Sequence, residues 1–166
     1  MAKTAGYTDK WLSNNQIVWV TAPNNYTSAA ATTEWVSLKG YQRAIVVIKT
    51  GAWAAGTAAV TLNEATAVLG TGTTPLAFAY MWTNDAAATA PTLVKTTVTT
   101  NTFNLDTANS LYIIEVDADE MDDGYDCLNV AVASPGANND YYDIMIILTD
   151  PRYPANPASL VNGVID

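Results

Sequence analysis

RAIVVIKT, residues Arg43 to Thr50, decides how this chain folds. Ala44, Ile45, Val46, Val47 and Ile48 follow one another without a polar break. Branched Cβ atoms stiffen a side chain and suit a pleated strand. Successive strand side chains point to opposite faces. A run that is apolar at every position therefore predicts a central strand buried on both faces.

The segments around it alternate instead. Thr57 to Ala65 places Val60 and Leu62 inward. Leu76 to Thr83 places Leu76, Phe78, Tyr80 and Trp82 on one face, and Ala77, Ala79 and Met81 on the other. Ser110 to Asp117 groups Tyr112, Ile114 and Val116. Tyr125 to Ala133 groups Leu128, Val130 and Val132, and Tyr141 to Thr149 groups Ile144, Ile146 and Leu148. Gln16 to Thr21, Glu34 to Leu38 and the Thr-rich Thr92 to Thr100 complete a set of short strands. Turn chemistry separates them, at Gly40 and in GAWAAG (from Gly51), GTGTTP (from Gly70) and SPGANND (from Ser134). No amphipathic helix longer than about two turns is visible; the Ala-rich Thr83 to Pro91 is the one stretch that could form a short one. No repeat recurs at a fixed period. The pattern predicts an all-β protein, an antiparallel β-sandwich or jelly-roll-like fold. A length of 166 residues suits a single domain spanning 1–166, enough to bury roughly 70% of its unfolded surface without a disulfide or metal.

The two ends differ from this body. Residues 1–14 are polar and unpatterned and read as an extended arm. Pro151, Pro154 and Pro157 break up residues 151–166, which can continue neither a helix nor a sheet interior. Arms flanking a compact β core are typical of proteins that assemble. Tyr, Trp and Arg are enriched at interface hot spots, so Lys3, Tyr7, Lys10 and Trp11 at one end, and Arg152 and Tyr153 at the other, are the candidate contact residues.

Charge narrows the partners. The net charge is −9, and Arg152 is the one basic residue after Lys95. Such a chain is repelled by phosphate backbones and by anionic lipid, so neither nucleic acid nor membrane is an expected partner. The first residues lack the apolar run of a signal peptide, and no segment approaches the roughly 18 apolar residues of a membrane span. The expectation is a soluble protein made in a cytoplasm. A single cysteine, Cys127, forms no internal disulfide and reads as a buried thiol. The absence of histidine removes His-based triads and most transition-metal sites.

The most acidic stretch runs from Glu115 to Asp126 and holds Glu115, Asp117, Asp119, Glu120, Asp122, Asp123 and Asp126, with no Lys or Arg among them. It is not an EF-hand loop: with Gly124 at the sixth position, Met121 falls at the third and Val130 at the twelfth, where oxygens are needed. A calcium site of another kind in a β-loop stays open. Paired acid/base carboxylates need to flank a cleft with separated pKa values, whereas a cluster on one short loop points into water. The remaining reading is a solvated crossover between strands. Asp117 or Asp119 caps one helical turn, and Gly124 closes it in a left-handed conformation. No catalytic residue, metal or cofactor is expected. GTGTTP has the glycines of a phosphate loop but no following GK[ST] or helix.

Four segments resemble one group of proteins. KWLSNNQIV, LKGYQRAIVVIKTGA with GTAAVTLNEAT, YIIEVDADEMDDGYDCLNVAV and IILTDPRY are similar to small virion structural proteins of tailed bacteriophages, of the head-decoration (cement) type. The similarity spans about residues 10 to 153. The resemblance implies a β-rich fold, no enzymatic activity, binding to the major capsid protein on the capsid surface, and a homotrimer. It does not separate a head protein from a tail or connector component. A binding module for carbohydrate is the alternative from another class, with Trp35, Trp53 and Trp82 as candidates for stacking on sugars, although the alternation places Trp82 among core residues.

Overall fold

The computed structural model describes residues 11–19, 21–85 and 92–152, and their regular structure is almost entirely β. One helical turn, α1 (Trp11–Asn14), leads into β1 (Gln16–Trp19). Three two-residue strands follow, β2 (Asn24–Asn25), β3 (Ala31–Thr32) and β4 (Val36–Ser37). The long strands β5 (Tyr41–Thr50) and β6 (Ala58–Ala65) come next, then β7 (Thr74–Pro75), β8 (Tyr80–Asp85), β9 (Val94–Thr97), β10 (Thr102–Leu105), β11 (Ser110–Asp117), β12 (Cys127–Val132) and β13 (Tyr141–Pro151).

They form two antiparallel sheets packed as a sandwich, as the alternation predicts. The larger has the order β1-β13-β5-β11-β8-β9, with β2 also on β13. The smaller has the order β10-β6-β12-β3, with β4 on β12 and β7 on β6. RAIVVIKT is central: β5 lies between β11 and β13, with Val46 opposite both Ile114 and Ile146. The core between the sheets is built from alternate residues. Val46, Ile48, Leu62, Ile114, Leu128, Val130, Ile144 and Ile146 are fully buried, each such side chain contributing roughly 1.5–3 kcal/mol. Phe103 on the smaller sheet packs edge-on against Phe78 and lies 5.6 Å from the ring of Tyr112 on the larger, tying the layers together. Cys127 is buried, as expected.

Several expectations are corrected. RAIVVIKT is covered on one face: Ala44, Val46, Ile48 and Thr50 are buried, but Ile45 and Val47 are half-buried and Lys49 is exposed on the other. The Leu76 to Thr83 segment is not one strand. Leu76 and Phe78 do enter the core, but from an irregular stretch in which the chain crosses from the smaller sheet (β7) to the larger (β8). The crossing breaks the alternation, so Met81 is buried while Tyr80 and Trp82 lie half-buried on the outer face. The Thr92 to Thr100 segment ends early for the same reason: β9 belongs to the larger sheet and β10, which the alternation missed, to the smaller.

The arms are shorter than expected where they are described. Trp11–Asn14 forms a helical turn beside β1 and β13 rather than an extended segment. Pro151 closes β13 opposite Tyr41, where the strand's last position needs no further donor. Arg152 then bonds the Gly40 carbonyl through its backbone N–H at 2.9 Å. Lys3, Tyr7, Lys10 and Tyr153 lie outside the described residues.

A candidate interaction site at one end of the larger sheet

The start of β5 meets the ends of β11 and β13. Arg43 stands opposite both Asp117 and Thr149 in the ladder. Its Nε donates to Asp117 Oδ1, and Nη1 lies 3.9 Å from Asp150 Oδ2. The hydrogen bond and charge of Asp117 raise the Arg43 pKa further above its ordinary value. These groups are substantially solvent-exposed, so the pairs contribute at most about 1 kcal/mol and serve mainly to orient the guanidinium. Asp150 adopts a left-handed conformation, φ 56°, where an Asp is tolerated better than most residues. β13 stays beside β5 across this residue, with Pro151 opposite Tyr41, and Arg152 Nε donates to the Tyr41 carbonyl at 3.1 Å.

The result is an open depression of about 410 Å³ with Arg43 and Arg152 on its walls beside Asp117, Asp119 and Asp150. A second depression of about 570 Å³ shares Gln42 and Asp150 with it and has Trp11 on its far side. Trp11 is 54% exposed. Two of the candidate contact residues, Trp11 and Arg152, are 141 positions apart in the chain, yet they line neighbouring depressions that share Gln42 and Asp150. The site offers an apolar ring, two guanidinium groups and three carboxylates on an open surface, which suits docking against a polar protein face.

The acidic stretch splits into parts with separate roles. Glu115 faces outward from β11, and Asp117 pairs with Arg43. Beyond Asp117 the chain makes two tight turns instead of the expected helical one, closed by Glu120 N–H to Asp117 O (3.0 Å) and Tyr125 N–H to Asp122 O (2.9 Å). Gly124 does take the left-handed conformation, φ 88°. Two side chains impose the turns: Glu120 Oε2 accepts from Asp117 N–H at 3.0 Å, and Glu64 Oε2 accepts from Asp122 N–H at 3.0 Å. Glu64 comes from β6 and is 2% exposed; its Oε1 accepts from Thr74 Oγ1 at 3.2 Å. Sequence reading did not single out this residue, although the alternation that turns Val60 and Leu62 inward puts Glu64 on the same buried face. Among the described residues, no group of three or more His, Cys, Asp or Glu is arranged to hold a metal ion.

The three tryptophans considered for sugar stacking belong to different parts of the fold. The Trp35 ring covers the Gly70 turn so closely that a methyl group there would come within 2.6 Å of Nε1. Trp53 Nε1 donates to the Gly56 carbonyl, and its ring leans on Tyr142. Trp82 sits on the outer face of the larger sheet, edge-on to Tyr80, whose ring lies 3.6 Å beneath Lys95 Nζ.

The chain matches no family model and no curated protein sequence. Among solved structures, the crystal structure of the SPBc2 prophage-derived protein YomS is similar at 9% sequence identity and a TM-score of 0.44, over 82% of this chain and 94% of that one.

Proposed function

We propose that this protein is a structural component of a tailed-bacteriophage virion that decorates the outside of the capsid, binding the major capsid protein. The sequence resemblance suggests the class of protein. The observation that carries the docking assignment is the meeting of the two ends of the described body, where Trp11 and Arg152 flank Gln42 and Asp150. A body with its contact groups at one end attaches there and leaves the rest facing solvent. Each contact is small and open, and repetition over a lattice multiplies weak contacts into firm attachment. Homo-oligomerisation serves the same end.

Co-sedimentation of the full chain with capsids of the phage that encodes it tests this reading. Trp11→Ala and Arg152→Glu should each weaken binding at least about tenfold, the loss typical of an interface hot spot, with an unchanged circular dichroism spectrum. Capsids that leave the wild-type protein in the supernatant, or binding indifferent to both substitutions, overturn the proposal. Attachment to tails instead of heads would move the assignment to a tail or connector component.

A further inference from the structure

The outer face of the larger sheet is apolar where a solvent-facing sheet should be polar. A one-sided antiparallel sheet normally alternates apolar inside with polar outside. Here Ile17, Ile147 and Ile45 stand side by side across β1, β13 and β5, with Glu115 next on β11. The neighbouring row runs Met145, Val47, Ile113, Trp82 and Lys95. Adjacent strands half-cover these side chains, and Ile17, on the edge strand, is 43% exposed. The unbroken apolar run of β5 belongs to this arrangement: its second face is as apolar as its first, yet nothing in the described fold packs on it.

Charge separates this face from the rest of the molecule. Its charged groups are Arg43, Lys49 and Lys95 against Glu115, Asp117 and Asp143, which sum to zero. Arg43 is paired with Asp117, and Asp143 stands opposite Lys49. The chain as a whole carries −9. Two copies approaching by other surfaces meet more like charge; approaching by this one they bring together faces of balanced charge around an apolar centre. The ladder sets the size of this face. The Val47 row crosses all six strands, about 29 Å at about 4.8 Å spacing, whereas the Ile45 row pairs four. The patch therefore falls at the small end of specific interfaces.

We infer that the outer face of the larger sheet is the self-association surface of this protein, packing against the same face of a second copy. Sheets stacked this way lie about 10 Å apart with strands roughly 30° from parallel. A face that meets its own copy is related to it by a two-fold axis, so the product is a dimer rather than the trimer implied by the resemblance. This inference does not depend on the virion assignment: its apolar centre is built from residues other than Trp11 and Arg152, although Arg43 and Asp117 at its edge also line the depression beside Arg152.

Sedimentation velocity of the full chain at micromolar concentration tests it. The wild type should sediment at twice the 17.7 kDa chain mass. Val47→Glu and Ile147→Glu each place a carboxylate inside the interface twice over, and each should raise the dimer dissociation constant roughly 100-fold or more. Both positions face outward from the monomer, so circular dichroism should be unchanged. Leu69→Glu, at a loop residue 91% exposed, should leave the dimer intact. A wild-type monomer, a trimer, or a dimer insensitive to both substitutions overturns the inference. So does a monomer whose melting temperature falls on Val47→Glu, because the face is then covered from within its own chain.

Discussion

Removing the Glu64 side chain should loosen the acidic loop and cost more than any exposed acidic residue near it. Its carboxylate is 2% exposed and accepts two hydrogen bonds, from Asp122 N–H at 3.0 Å and Thr74 Oγ1 at 3.2 Å. Glu64→Ala abolishes both and leaves the Asp122 N–H without its acceptor. Bonds to a charged acceptor contribute about 1.5–3 kcal/mol each, so the net loss should be about 3–5 kcal/mol. At about 2–4 °C per kcal/mol for a chain of this length, the melting temperature should fall by about 6–20 °C. Glu64→Gln is the informative partner. Its amide oxygen still accepts from Asp122 and its NH₂ donates to Thr74 Oγ1, while the buried charge, which carries a desolvation cost, is gone. That variant should melt within about 3 °C of wild type by the same conversion. Calorimetric melts at neutral pH read both values, and amide hydrogen exchange at Asp122 should accelerate in the Ala variant alone. If Ala costs less than about 1 kcal/mol, the clamp is not holding the loop. If Gln is as damaging as Ala, the charge and not the bonding geometry matters.

Tyr142→Phe should stabilise the protein by about 1 kcal/mol, since the buried Tyr142 hydroxyl has no hydrogen-bond partner among the described residues and the ring stack on Tyr26 at 4.0 Å survives. Burial, and secondarily Tyr26, raise the Tyr142 pKa well above its ordinary value. The neutral phenol is therefore favoured on folding. That stability is fully present below the unfolded-state value of about 10 and is lost as pH rises through the folded value. Alkaline melts should be less steep for Phe; an unchanged profile would count against the assignment. Gly70→Ala should cost about 1–3 kcal/mol, because φ is 76° and the new methyl meets Trp35 Nε1. Its displaced indole should shift tryptophan emission to the red, and unaltered emission with an unaltered melt would refute the close packing.

The fold was legible where the chain stays in one sheet. β6, β11, β12 and β13 alternate cleanly, and Leu62, Ile114, Val130 and Ile146 lie where the alternation puts them. It failed where the chain changes sheets. Between Pro75 and Tyr80, and again between Thr97 and Thr102, irregular residues reset the phase, so Trp82 moved outward and β10 went unseen. Period-two reasoning assumes that consecutive residues share one pleat, and a crossover removes that condition without leaving a mark in composition. The site was half legible. Trp11 and Arg152 were chosen for their residue types, and tertiary structure supplied their common neighbours Gln42 and Asp150. Glu64 was legible in part: the alternation through Val60 and Leu62 turns it inward, but its donors, Thr74 and the Asp122 backbone 58 positions away, come with the tertiary structure. RAIVVIKT was misread in an instructive way. Its second apolar face was visible, but sequence alone does not distinguish a face covered by the chain from one left for another molecule.

The order of strands in the larger sheet also dictates when this protein can fold. Among the described residues β1 pairs with β13 alone, Gln16 opposite Leu148, and β5 has β13 on one side along its whole length. Among the described strands, β13, the last in chain order, joins β1, the first, to the centre of the sheet. Until roughly residue 150 has emerged, β5 is an edge strand with an unpaired row of backbone donors and acceptors, next to its most apolar run. At about 5–20 residues per second, that exposure lasts on the order of ten seconds or more during synthesis, and pairing between distant segments is intrinsically slow. A chain cut short before Tyr141 keeps that edge open permanently, and exposed apolar edges recruit other strands. Truncated products should accumulate as aggregates, not as folded fragments.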